Sequence, residues 1–286
     1  MTQSSSPDRL RSWGFLLLCS AAGVGVLLLV FVAILAIAPL GEGSPVPAAA
    51  PPAPAPSESA VPAPQPMGAA PLPESTTHTT IEAAPSDTGP AEPTDGSVVH
   101  PRQEVLVYAE PGGAPLARIG PEQIGDTWLP VIAEQPGWVR VLLPSRPNGS
   151  TGWLAAGELD RAVSPYLIRV HLSSLSMELL SDRELLGQWT IGIGKDSAPT
   201  PPGRTFLLGS FSDEQQDYSP VILPLGSHSP TLDTFGGGPG TVAIHTWPTD
   251  EVFGTQSSDG CIRVPPDALD QLTEVPLGTL VLIDER

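Results

Sequence analysis

The stretch TVAIHTWPTDEVFGTQSSDGCIRV, Thr241–Val264, carries the fold signal and the chemistry together. Its first four residues are a short apolar run with β-branched members, which reads as a strand, and His245 stands where that strand ends. A strand end can present a side chain to a cleft. A loop follows, and then Ser258-Asp259-Gly260-Cys261. Glycine directly ahead of a cysteine permits a tight turn and exposes backbone N–H groups beside the sulfur. Such groups are the usual material of an oxyanion hole. His245 lies sixteen residues before Cys261, enough for a loop that returns to the same site.

The same texture extends outward from about residue 101. Short apolar runs bounded by Gly, Pro and Asn recur at Glu104–Ala109, Trp138–Leu143, Tyr166–Leu172, Trp189–Ile193, Thr205–Leu208 and Thr279–Ile283. Runs of this length and spacing predict a mainly β region. One helix is predicted, over Pro265–Val275, with prolines at its start and Asp267 in its first turn. Two small cores are expected, divided near residue 162. Residues 101–162 hold about five candidate strands with turns at Pro111-Gly112-Gly113 and Pro147-Asn148-Gly149, a pattern that predicts a small β-barrel. The segment WVRVLLPSRPNGSTGWLAAGEL resembles the end of the small Src-homology-type barrels attached to bacterial wall enzymes. Trp138 and Trp153 read either as a ligand platform or as buried core.

Upstream the physics differs. Residues 1–13 are short and polar, and Gly14 to Ala38 runs 25 residues without a charge. That is long enough to span a bilayer core of about 30 Å with some tilt. A cleaved signal peptide has a shorter apolar stretch, and Ala36-Ile37-Ala38 is followed by Pro39, a poor cleavage context. Arg9 and Arg11 precede the span and residues 41–100 contain neither Lys nor Arg. The expectation is a single-pass anchor with a cytoplasmic N-terminus and everything after it outside the cell. Residues 39–100, rich in Pro, Ala, Ser and Thr, read as a disordered, semi-rigid linker with too little apolar bulk to order itself.

Composition excludes whole classes of function. The 286 residues include 36 prolines, and 31 acids against 13 bases give a net charge of −18. With Lys195 as the single lysine there is no basic stripe for phosphates, so nucleic-acid binding is excluded. Two cysteines make neither a disulfide framework nor a zinc ribbon, and no metal or cofactor is expected. Because Cys19 lies in the span, Cys261 has no partner outside the cell: it is either an inert buried thiol or a working one. A working thiol, with a free pKa of about 8.5, needs a base. His78 and His100 fall in or at the edge of the linker, and His171 within a strand. That leaves His245 as the candidate base and His228 as the alternative. A serine hydrolase built on Ser257 or Ser258 is a further reading, one that leaves the cysteine without a role.

At these residues the sequence resembles the L,D-transpeptidase catalytic domain of bacterial cell walls. That pattern is an apolar strand ending in His, a loop, then Ser-His-Gly-Cys, an aliphatic residue, and Arg or Asn. Here it reads Ala243-Ile244-His245-Thr246 and Ser258-Asp259-Gly260-Cys261-Ile262-Arg263. Gly194, the turn Pro199-Thr200-Pro201-Pro202-Gly203 and the loop Ser227–Gly240 are similar to the family's as well, so the resemblance spans 163–286. It implies Cys261 as nucleophile, His245 as base, the Thr246 carbonyl as its orienter, and peptidoglycan stem peptides as donor and acceptor through a thioester. Resolution by water instead would make a carboxypeptidase; an inert second domain would leave a wall-binding protein. Arg263 is expected either to bind a stem carboxylate or to form a structural ion pair. Asp259 stands where the family has histidine, and a carboxylate there is expected to raise the thiol's pKa unless it points away or pairs with Arg263 or His245. Oligomeric state has no signal in the sequence.

Overall fold

The computed structural model describes residues 71–234 and 238–284. The expected cytoplasmic tail, the span at 14–38 and the linker up to residue 70 lie outside the described residues. Among the described residues no helix is long and apolar enough to cross a membrane.

A five-stranded sheet lies at the centre. Its order is Glu184–Thr190, Ser176–Ser181, Tyr166–His171, Leu280–Ile283 and Gly203–Phe206. The strand Leu280–Ile283 pairs in parallel with Tyr166–His171 and antiparallel with Gly203–Phe206, so it lies inside the sheet with a neighbour on each side. Both faces of that strand are buried, which explains the uninterrupted apolar run there. Val281 and Ile283 enter one core with the helix Pro266–Leu272 and the strands around His245. Leu280 and Leu282 enter the other, with Phe206, Leu208 and the strands of the upstream unit. The helix begins and ends within the expected stretch and buries Ala268, Leu269 and Leu272. Trp189 Nε1 donates to Asp267 in its first turn at 2.9 Å.

The upstream unit differs from its expectation. It is a seven-stranded antiparallel sheet in the order Pro115–Ile119, Val105–Tyr108, Thr151–Ala155, Trp138–Leu142, Leu129–Gln135, Ser97–Pro101 and Leu159–Val163. Residues 101–162 alone do not complete it. Ser97–Pro101, from the expected linker, pairs over five residues with Leu159–Val163 and on its other side with Leu129-Pro130. Nor does a boundary near 162 separate two cores, since one cluster joins Val99, Val107 and Leu154 to Phe206 and Leu282. Trp153 is buried, while Trp138 is half-buried and meets Tyr108 edge-on at 5.1 Å.

Residues 71–96 correct the linker reading further. Ile81 is 3% exposed and belongs to the shared core. The backbone there bonds in both directions with the loop at Arg146: Ile81 N–H to the Arg146 carbonyl and Arg146 N–H to the Thr79 carbonyl, each at 2.9 Å. Asp87 and Arg204 form a two-pronged ion pair at 2.5 and 2.6 Å, their side chains 3% and 6% exposed. Proline and small polar residues carry no apolar pattern of their own. Their order comes from backbone hydrogen bonds to distant strands and from one buried pair of charges, neither of which leaves a local signature.

Candidate active site

The strand Thr241–His245 pairs antiparallel with Leu223–His228 and in parallel with Ile262–Arg263, with Ile244 opposite Ile262 and His245 opposite Arg263. Because side chains alternate along a strand, this register sorts the residues by face. Val242, Ile244, Ile262 and Val264 go into the core at 0% exposure. Ala243, His245, Cys261 and Arg263 take the other face and line a cleft of about 620 Å³. Cys261 and His245 are thus brought to one surface by strand register.

Three residues hold the cysteine turn. Gly260 has φ +113°, a conformation that favours glycine. Ser258 Oγ donates to the Cys261 carbonyl at 2.6 Å and accepts the Gly260 N–H at 3.2 Å. Thr200, from the proline turn, donates to the Gly260 carbonyl at 2.8 Å and accepts the Gly194 N–H at 2.9 Å. A Cβ on Gly194 would stand 2.4 Å from the Ala198 carbonyl, so glycine there lets the two turns touch. With its hydroxyl spent in this way, Ser258 is a brace; Ser257 is exposed and bonds Thr255 and Arg263. Neither serine has the setting of a hydrolase nucleophile.

His245 is equally fixed. Its Nδ1 lies 2.7 Å from the Thr246 carbonyl, the geometry of an Nδ1–H donor, which leaves Nε2 as the acceptor nitrogen. Thr246 is held in turn by its N–H to Ser219 Oγ at 3.0 Å and its hydroxyl to the Tyr218 carbonyl at 2.9 Å. The Tyr218 ring meets the imidazole edge-on at 5.0 Å. His228 is elsewhere: 1% exposed, its Nε2 is 2.9 Å from the Thr77 carbonyl, and it does not line the cleft. It serves to tie the upstream segment down, and the alternative base is set aside.

Arg263 makes no ion pair among the described residues. Its guanidinium lies 3.7 Å over the ring of Trp247 and donates to Ser257 Oγ at 3.3 Å. Asp259 is exposed, lines the same cleft and pairs with Lys195 at 2.6 Å, a partner the sequence reading did not expect. Trp247 and Tyr218 were not foreseen. For Trp247 a signal existed, since it sits two residues beyond His245; for Tyr218, on a distant loop, there was none.

Burial dominates the electrostatics. It pushes the Cys261 thiol up to about 11, against a backbone hydrogen bond from Ala243 and the Arg263 charge, with Asp259 the smallest contributor. Burial pushes His245 down to about 4, against its bond to Thr246. The resting pair is therefore a neutral thiol beside a neutral imidazole between those limits. One expected consequence concerns alkylation of Cys261 by iodoacetamide, read on its own peptide by mass spectrometry. The rate should rise about tenfold per pH unit from 7 to 10 as thiolate forms. A plateau across neutral pH would reveal a preformed thiolate–imidazolium pair instead.

Residues 165–283 match the YkuD family, described as the L,D-transpeptidase catalytic domain. This segment is similar to the YkuD catalytic domain. The match covers all of the residues just described around Cys261 and His245 and less than half of the chain. No curated protein matches the sequence. Among solved structures, an L,D-transpeptidase from Mycobacterium smegmatis is similar at 14% identity and TM-score 0.35, over 55% of this chain and 99% of that one. The catalytic domain of an E. faecium L,D-transpeptidase aligns at 24% identity and TM-score 0.33, over 42% and 98%. An L,D-transpeptidase from Mycobacterium tuberculosis H37Rv aligns at 13% identity and TM-score 0.37, over 55% and 93%. The 71–96 segment and the seven-stranded sheet lie outside the YkuD match.

Proposed function

We propose that this protein is a membrane-anchored L,D-transpeptidase that cross-links peptidoglycan stem peptides through a thioester on Cys261. The observation that carries the reading is the shared face of Ala243, His245, Cys261 and Arg263 at the cleft, with the imidazole tied through Nδ1 to Thr246. The anchor is the apolar run 14–38, which leaves the catalytic domain on the wall side.

The neutral resting pair dictates the first step. The Cys261 proton passes to His245 Nε2 as sulfur attacks the carbonyl between the third residue of a stem and its terminal D-alanine. The developing oxyanion needs a donor fixed in advance. The Gly260 N–H is already turned to Ser258 Oγ, so we assign the role to the Cys261 N–H, held by the Ser258 and Thr200 braces. Collapse breaks the C–N bond, the imidazolium protonates the departing nitrogen, and D-alanine leaves. A second stem's side-chain amine then attacks the thioester, His245 takes its proton, and the thiol is restored. Water in place of the amine gives tripeptide, the carboxypeptidase outcome of the same site. Asp259 does not disable the chemistry on this reading, because Lys195 neutralises it.

Full-length protein in detergent, incubated with disaccharide-tetrapeptides, tests the proposal by mass spectrometry. A cross-linked dimer with loss of D-alanine supports it, tripeptide alone redirects it to a carboxypeptidase, and intact substrate sinks it in favour of a non-catalytic wall-binding protein.

A further inference from the structure

The cleft beside Cys261 has a wall that the YkuD segment does not supply. Glu74, Thr76 and His78 line it from the upstream segment, and Glu122, Gln123 and Ile124 from the hairpin of Glu122–Gln123 and Gly125–Asp126. These two pieces are bonded to each other: Gln123 Nε2 donates to the Ser75 carbonyl at 3.1 Å. The upstream piece is also fixed on both sides. Ser75 N–H donates to the Arg118 carbonyl at 2.7 Å and Arg118 N–H to the Pro73 carbonyl at 2.9 Å. Thr77 accepts from His228 at 2.9 Å, and His228 closes the strand pair that presents His245. A wall pinned in this way is set before any ligand arrives.

Its chemistry differs from that of the thiol end. Arg263 and Asp259 are the charges that act on Cys261, and Lys195 offsets Asp259. Glu74 and Glu122 take part in no ion pair among the described residues. Gln123, on the same wall, anchors it through the bond to Ser75 and keeps its Oε1 buried. Two carboxylates without a cationic partner make an acceptor wall, suited to a peptide that brings a cationic amine.

We infer that Glu74 and Glu122, held in place by the Gln123–Ser75 bond, bind the second, amine-bearing stem, and so decide whether the Cys261 thioester ends in a cross-link or in hydrolysis. This rests on the function proposed above. The arriving ammonium gives one proton to water or a wall carboxylate. The neutral nitrogen then attacks the thioester carbonyl, its second proton goes to His245, the C–S bond breaks, and the imidazolium returns a proton to sulfur.

The test is partition of the acyl-enzyme in the full-length protein, with intact-mass detection of the thioester and separate counts of dimer and tripeptide. For Glu74→Gln with Glu122→Gln, the dimer-to-tripeptide ratio is expected to fall about tenfold, the size of one charge-assisted hydrogen bond, through a raised acceptor KM. Acyl-enzyme formation should fall much less, and thermal unfolding should stay where it was. Normal acylation with an unchanged ratio overturns the wall's role while leaving the enzyme intact. Acylation slowed as much as cross-linking also overturns it, because the wall would then serve the first stem. A wild-type chain that never acylates overturns the functional reading, and the wall with it.

Discussion

Cys261→Ala is expected to leave no acyl-enzyme and no product, a fall of at least about 10³-fold in kcat, with unfolding little changed. The side chain is 8% exposed and packs with Ile222 and Ala243, so alanine removes one sulfur atom from a small cluster. His245→Gln should lose nearly as much. Glutamine cannot take the thiol's proton, and burial has already raised that thiol to about 11. Since the two groups act as one unit, the double variant should be no slower than either single one. Single-turnover kinetics with a tetrapeptide donor check this. Multiplying losses would mean that sulfur and imidazole work independently, which the proposed proton transfer forbids.

Asp87→Ala is expected to destabilise the described unit by about 3–5 kcal/mol, because it strands the Arg204 guanidinium in a site where its side chain is 6% exposed. For a unit of this size that is a fall in melting temperature of roughly 6–20 °C, measured by calorimetry. Arg204 also donates to the Glu92 carbonyl at 3.1 Å, so the loss would loosen the segment on both sides of the pair. Asp87→Leu combined with Arg204→Met removes both charges, and should recover most of the stability. If the single variant melts like the wild type, residues 71–96 are not held by this pair. The variant should also slow cross-linking, since Glu74 and His78 stand in the cleft only while their segment is docked.

How much of this was legible beforehand differs from element to element. The strand ending at His245, the glycine before Cys261 and the helix from Pro266 are local patterns, and the sequence carried them openly. So was the general β texture, which the 280–283 strand shows best. Harder was the fate of residues 71–100, where low apolar content argued for a linker. That inference fails because the segment does not build a core of its own: it borrows one, placing Ile81 and Val99 among strands from elsewhere. Asp87 and Arg204 are 117 residues apart, and no window of sequence contains both.

The chemistry on offer is written along the chain: one thiol beyond the apolar run, one histidine at a strand end, a glycine turn, and an acidic composition with a single lysine. Which groups act on one another is set by folding. It placed Lys195 against Asp259, Trp247 beneath Arg263, and Glu74 and Glu122 in the cleft beside Cys261. The physical reason is the range of the forces involved. Backbone periodicity and turn geometry depend on neighbours in the chain, whereas ion pairing, desolvation and cleft shape depend on neighbours in space.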